Sequence, residues 1–518
     1  MQALIPAPVL LPLLAAALKL AIGGRLRRLH ALISLATLGA MVVISLILLA
    51  AADRGGPLVA CIGGWPAPTG ICLVADRLST LMLVVSSAVT FCVMLYSLAN
   101  AYADQEHLAP MAIFHPAYLI MVAGVADAFL SGDLFNLFVA FEMLLGGSYV
   151  LLTFGGTLPR IRAGATYTVM GLASSMLFLI ALAITYASTG TLSMAQLAER
   201  FAELPQHLKL LVELTLLLVF AIKAAVFPMS AWLPDSYPTA PAPATAVFAG
   251  LLTKVGIYSI IRLEALLFPG GPVSTILMWA ALLTMLIGVA GAVAQTDIKR
   301  MLSFTLVSHI GYMVYGVALS SIAGMAGAVM YVVHHITVQT SLFLVTGLIE
   351  RRTGTTSVDR LGGLMRLAPL IAVLFFIPAM NLSGIPPMSG FLGKLLLVQA
   401  GLADGGPLAL TLVAGSLVTS LLTLYAVAKT WGKAFWRSPP AAAGAEETVL
   451  DSEESSEEGA IRTTVMPPWP MVAATAALVV LALSYTVLAG PLSALAGRTA
   501  GELMARQPYL EAVSGSGR

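Results

Sequence analysis

Charge is scarce in this sequence. Of 518 residues, 27 are Lys or Arg and 25 are Asp or Glu, a 10% share where soluble domains carry about 25%. No soluble fold can solvate a surface so poor in charge. Seven of the acidic residues fall in one short run, 446–458, which leaves the remainder more apolar still. The net charge of +2 excludes a nucleic-acid binder of the basic-patch kind. Cysteine is rarer: Cys61, Cys72 and Cys92 cannot build a disulfide scaffold or a four-cysteine metal site, and leave open a single Cys61 to Cys72 bond. Catalytic motifs are missing as well. With no His-Glu-x-x-His, no Gly-x-Ser-x-Gly and no Gly-rich phosphate loop, an intramembrane enzyme is disfavoured.

Long apolar runs are what the sequence has. A helix rises ~1.5 Å per residue, so about 20 apolar residues cross a ~30 Å hydrocarbon core. This ruler predicts an all-α polytopic membrane protein of about fourteen spans. They lie near 3–22, 29–51, 77–100, 108–126, 132–154, 163–187, 208–229, 239–262, 274–294, 300–320, 325–349, 366–400, 407–433 and 467–490. The first run is not a signal peptide, because Arg25, Arg27 and Arg28 follow it instead of preceding it. It reads as a span with its N-terminus outside.

That orientation gathers Arg25, Arg27, Arg28, Arg160, Arg162, Lys299, Arg300, Arg351, Arg352, Arg360, Arg366, Lys433, Arg437 and Arg462 on the inside. The outside loops hold Arg54, Arg77, Arg200, Lys209 and Arg262, with the arginines of the tail. Lys19, Lys223, Lys254, Lys394 and Lys429 fall within spans. The positive-inside bias holds along the chain and puts both termini outside. The Pro, Ala, Ser, Gly and Glu-rich stretch 438–465 is too polar to bury anything and reads as a disordered inside loop.

A faint internal repeat divides the chain. Pro228-Met229-Ser230-Ala231-Trp232-Leu233 in span seven matches Pro387-Met388-Ser389-Gly390-Phe391-Leu392 in span twelve, and Asp133 before span five matches Asp297 before span ten. Five spans of lag reverse orientation, so the pattern predicts two inverted five-helix repeats, 108–262 and 274–433. Around them stand N-terminal spans in 1–107, the acidic loop 438–465, a last span 467–490 and a short tail 491–518. Helices are expected to break in spans seven and twelve, at Pro228 and at Pro386 and Pro387. Proline donates no backbone hydrogen bond, and irregular backbone at membrane depth survives only inside protein or along a wet cavity. A plain structural kink is the alternative.

Ionisable groups in hydrocarbon cost roughly 2.5 to 3.5 kcal/mol each on insertion scales, and so point to function. Glu142 lies nine residues past Asp133, about 13.5 Å along a helix and near mid-membrane. Lys223 precedes Pro228 by five residues, Lys254 lies deep in span eight, and Lys394 follows Pro387 by seven. A buried lysine with a carboxylate partner holds its proton, and without one tends to release it. Glu142 and Lys223 are therefore expected to form a switchable pair; a static ion pair that fixes helix packing is the competing reading. His309, His334 and His335 extend the row, since histidine changes charge between about pH 5 and 8. Each alone is more often a hydrogen-bonded core residue than a relay. No Asp, Glu or Cys lies at ligand spacing in the same helices, so neither metal nor cofactor is expected.

These residues also resemble a family. The strings Gly132-Asp133-Leu134-Phe135-Asn136-Leu137-Phe138-Val139-Ala140-Phe141-Glu142, Phe227-Pro228-Met229-Ser230-Ala231-Trp232-Leu233-Pro234, Leu252-Thr253-Lys254-Val255-Gly256, Asp297-Ile298-Lys299-Arg300-Met301-Leu302-Ser303 and Ser308-His309-Ile310-Gly311-Tyr312 resemble the antiporter-like subunits shared by respiratory complex I and the multisubunit Mrp cation/proton antiporters. The resemblance spans about 75–490 and leans to the Mrp branch. It implies fourteen helices, the inverted repeat and a proton path along a hydrated central axis. It maps the family's glutamate onto Glu142 and its lysines onto Lys223, Lys254 and Lys394, with His309, His334 and His335 in second place. It also implies other subunits of a complex as partners in the bilayer, protons and sodium as cargo, and a plasma-membrane location. The alternative it leaves is the equivalent pump subunit of an NADH dehydrogenase-like assembly.

Overall fold

The computed structural model describes residues 1–23, 26–103, 111–438 and 466–515. Arg25, Arg462, Arg518 and the acidic run 446–458 lie outside the described residues. In hydrocarbon every backbone N–H and C=O must be satisfied within its own segment, which leaves helices as the solution for an unclosed chain. The chain begins with α1 (Ala7–Ile22) and α2 (Arg27–Gly55). A hairpin of β1 (Leu58–Cys61) and β2 (Cys72–Ala75) follows, its ends joined by a Cys61–Cys72 disulfide. Then come α3 (Arg77–Ala103), α4 (Met111–Leu130), α5 (Leu134–Thr153), α6 (Leu158–Thr189), the short α7 (Met194–Arg200) and α8 (Gln206–Ala224). After a break lie α9 (Trp232–Ser236), α10 (Ala242–Val247) and α11 (Thr253–Arg262), the last two fused through a π-helical turn, Phe248–Leu252.

The later part of the chain builds α12 (Ser274–Ala294), α13 (Ile298–Ala318), α14 (Ile322–Thr353), the single turn α15 (Leu364–Leu367), α16 (Pro369–Ser383), α17 (Ser389–Asp404) and α18 (Pro407–Trp431). It ends with α19 (Trp469–Val487), α20 (Ala489–Ala505) and α21 (Gln507–Gly515). Eleven helices among the described residues are long and apolar enough to cross a membrane. The protein is a multi-pass membrane protein. The shorter apolar α1 and α16, and α8 with its three charged side chains, cover the remaining predicted spans.

Caps and glycines position the central helices, and they do so twice. Asp133 caps α5 through the N–H groups of Phe135 and Asn136 at 2.7 and 3.1 Å, and Asp297 caps α13 through that of Arg300 at 3.0 Å. Each aspartate also bridges a serine sixty residues on, Asp133 to Ser193 and Asp297 to Ser357. α6 ends on Gly190 and α14 on Gly354, both left-handed at φ 69° and 72°, a conformation glycine adopts without steric cost. A Cβ at Gly124 would stand 2.6 Å from the Leu144 nitrogen, and one at Gly288, 164 residues later, 2.5 Å from that of Ser308. A Cβ at Gly147 would stand 2.7 Å from Ala117 O, and one at Gly311 2.7 Å from Ala281 O. The α4–α5 and α12–α13 pairs therefore pack backbone to backbone through matching notches. α14 and the continuous stretch Ala242–Leu267 are buried throughout their apolar windows and form the centre; α2, α6 and α19 are the least buried.

One expectation fails here, and one segment gains structure. Arg262, read as an outside-loop residue, is buried in α11 and forms a 2.5 Å ion pair with buried Asp76. A charge at the end of an apolar run looks like a boundary when its counter-ion lies far away in sequence. The tail after 491, read only as short, is helical. Its Glu502 pairs with Arg77, its Arg498 with Asp53 at 2.7 Å, and the Tyr509 ring lies 5.3 Å from the Arg262 guanidinium.

Candidate functional site

Two broken helices organise the site. Pro386 and Pro387 offer no N–H to the carbonyls four residues earlier, those of Leu382 and Ser383. Both carbonyls accept instead from the Lys394 ammonium, at 3.1 and 3.0 Å. The break thus creates the acceptors that hold the buried lysine. Gly384, at φ 85°, turns the chain here, and a Cβ on it would approach Lys394 Nζ to 3.2 Å. Lys394 Nζ also sits 5.0 Å from the Tyr312 ring centre, a cation–π contact.

Around it the three predicted histidines converge, all fully buried. His334 Nδ1 lies 3.0 Å from Ser389 Oγ, at the start of α17. Ser389 in turn donates to Asn381 Oδ1 at 3.2 Å. His309 Nδ1 lies 2.8 Å from the Tyr331 hydroxyl, and the His309 and His335 rings are 5.2 Å apart. Tyr331 stands among all three, with His334 at 5.4 Å and His335 at 6.2 Å between ring centres. His309 Nε2, His334 Nε2 and both His335 nitrogens have no protein partner among the described residues. Buried polar atoms of this kind are where ordered water finds its partners.

The first break is built differently. α8 ends at Ala224, Ala225 takes a left-handed φ of 58°, and Phe227 N–H donates to the Thr284 hydroxyl of α12 at 3.0 Å. The Trp232 indole donates to Ile222 O at 3.2 Å. Lys223, in the last turn of α8, lies 4.7 Å from the Phe141 ring centre, beside a cavity of about 30 Å³ shared with Ser174, Tyr167 and Tyr237. Glu142 is half-buried on α5. The expected direct pair of Glu142 with Lys223 is not formed: Ser175 of α6 stands between, donating to Glu142 Oε1 and accepting from Lys223 Nζ at 3.5 Å.

Lys254 is fully buried between the two clusters and donates to Ala249 O, in the π-helical turn, at 2.5 Å. All seven predicted relay residues are thus buried or half-buried, and Lys254 lies within electrostatic reach of His309 and His335. Sequence reasoning missed Ser175, Tyr331 and Asn381, since single hydroxyls and amides in apolar runs carry no pattern. It also left unused a buried chain from Lys19 through Ser34 to His115, the last contact at 3.0 Å, which joins α1, α2 and α4.

Buried ionisable groups at paired helix breaks are the arrangement of secondary transporters built on discontinuous helices. Comparison with known proteins narrows the class. The family described as "NADH:quinone oxidoreductase/Mrp antiporter, TM" matches residues 131–423. The chain is 40% identical to the D-type subunit of the Na(+)/H(+) antiporter of Alkalihalophilus pseudofirmus over 439 residues, 84% of this chain and 87% of that one. It is 37% identical to the protein of the same name from Bacillus subtilis over 432 residues, 83% and 86% of the two chains. Among solved structures, a chain of the Mrp complex from Dietzia sp. superposes with a TM-score of 0.88 at 32% identity, covering 99% of this chain and 100% of that one. A chain of respiratory complex I from Thermus thermophilus shares the fold, with a TM-score of 0.77 at 24% identity over 97% and 99%. The protein belongs to the NADH:quinone oxidoreductase/Mrp antiporter family of membrane proteins.

Proposed function

We propose that this chain is the proton-translocating membrane subunit of a multisubunit sodium/proton antiporter in the cell membrane. The observation that carries this reading is the set of titratable side chains gathered in the interior near the two helix breaks, six of them buried and Glu142 half-buried: Glu142, Lys223, Lys254, His309, His334, His335 and Lys394. The relatives named for Na(+)/H(+) antiport support the cargo, and the Mrp complex of Dietzia sp. supports other subunits as partners. Protons load Lys254 from the inside and exchange with Lys394 through His309 or His335. Glu142 and Lys223, on the flank, respond to the neighbouring subunit.

The recurrence of caps and glycine notches 164 residues apart, as at Gly124 and Gly288, supports the two inverted repeats. Fourteen crossings with both termini outside follow from the positive-inside count. The test is sodium-driven proton flux in everted vesicles carrying the assembled complex. Lys223→Ala or Glu142→Ala should abolish flux with assembly intact. Full flux in both variants would overturn the reading.

A further inference from the structure

Between Glu142 and Lys223 stands Ser175, which hydrogen-bonds to both. It lies in the middle of α6, 2% exposed. One turn earlier on the same face is Gly171, whose missing side chain leaves room for the Tyr149 hydroxyl that reaches across from α5. The hydroxyl has one proton to give and lone pairs to receive with. The proton is committed to Glu142 Oε1, which leaves the lone pairs facing the Lys223 ammonium. At 3.5 Å that second contact is at the outer limit of a hydrogen bond, so a small movement of either side chain makes or breaks it.

We propose that Ser175 is the proton-relay residue linking Lys223 to Glu142, and that its hydroxyl makes the switch conductive. This deepens the antiporter reading and rests on it. When Lys223 closes on Ser175, a concerted transfer breaks one N–H bond of the ammonium and forms an O–H bond on Oγ. The original O–H bond of Ser175 breaks as a new one forms on Glu142. Serine ends neutral, lysine becomes a neutral amine and glutamate a neutral acid. The proton has then moved from the buried group to the half-buried one without either charge crossing the apolar gap alone. When Lys223 withdraws, the chain is cut. A hydroxyl that only filled space would need no such alignment.

The experiment measures sodium-driven proton flux against pH in everted vesicles carrying the full complex, for Ser175→Ala, Ser175→Val, Ser175→Thr and Lys223→Ala, each normalised to assembled complex. Threonine keeps the hydroxyl, and valine matches its shape without it. Flux should fall about tenfold or more in the Ala and Val variants, as expected on losing a positioned proton-transfer group, and return with Thr. Wild-type flux in Ser175→Val alongside an inactive Lys223→Ala would overturn the relay while leaving the antiporter reading intact. Equal loss in Thr and Val would overturn it too, because packing would then be the cause. Wild-type flux in Lys223→Ala would overturn the antiporter reading itself.

Discussion

The stretch from α4 to α11 and the stretch from α12 to α18 repeat several caps and close helix approaches and differ in chemistry. At a lag of 164 residues, Asp133 answers to Asp297, Gly147 to Gly311 and Tyr167 to Tyr331, with the same caps and the same close backbone approaches. The titratable groups do not correspond. Glu142 faces Leu306 in the alignment, His309 faces Leu145, and His334 faces Met170. The partners of the two tyrosines differ accordingly: Tyr167 meets the Ser148 hydroxyl at 2.9 Å, and Tyr331 meets His309 at 2.8 Å. Backbone contacts that fix helix position are thus reproduced, while the side chains that hold protons are redistributed. One half carries a carboxylate and a lysine joined by a hydroxyl, and a second buried lysine, Lys254; the other carries a lysine anchored on carbonyls beside three imidazoles.

The strongest way to break this comparison is to disable each half in turn. Lys223→Ala and Lys394→Ala should each lower sodium-driven proton flux about 100-fold or more, as a required proton carrier is removed. A half whose lysine is dispensable would not belong to the path. The scaffold can be tested at its glycines. Alanine at Gly124 or Gly288 forces a Cβ against backbone, and overpacking of this kind costs about 1 to 3 kcal/mol. Thermal unfolding of the detergent-solubilised protein should fall by similar amounts in both variants; a large effect in one half alone would deny the likeness.

The aspartate caps should matter less. Asp133→Ala and Asp297→Ala are each expected to cost about 0.5 to 2 kcal/mol, read from the same melts. The smallest effect concerns a feature of one half only. Lys433 donates to Asp359 at 2.8 Å and holds that exposed carboxyl below its ordinary range, chiefly through this hydrogen bond. At the corresponding first-half position stands Ala195. Because the folded value is the lower one, the contribution is present above the ordinary carboxylate pKa and disappears as pH falls through the depressed value. Melting temperatures of the parent and Lys433→Met should therefore differ slightly at neutral pH and converge in acid.

Much of this was legible in the residues. Each predicted span carries helix because hydropathy and backbone self-satisfaction act locally, and both breaks announced themselves through Pro228 and Pro387. Long-range pairing was not legible. Asp76 and Arg262 meet across 186 positions of sequence, and no local pattern couples them. The hairpin closed by Cys61 and Cys72 was only an open possibility, since two cysteines eleven residues apart fix no geometry. The α20 and α21 helices escaped notice because they are neither apolar enough to span nor polar enough to be excluded. Within the site the lysines stood out by their cost in hydrocarbon, whereas Ser175 is inexpensive to bury and gave no signal until α5, α6 and α8 were seen together.

The central claim is that these buried groups are joined by water into one conducting row. Electron cryo-microscopy of the assembled complex, at a resolution that reveals ordered solvent, tests it most directly. The account predicts water density continuous from Lys223 past Lys254 to the histidines and Lys394. Dry apolar packing between those side chains, or side chains turned toward lipid, would contradict it.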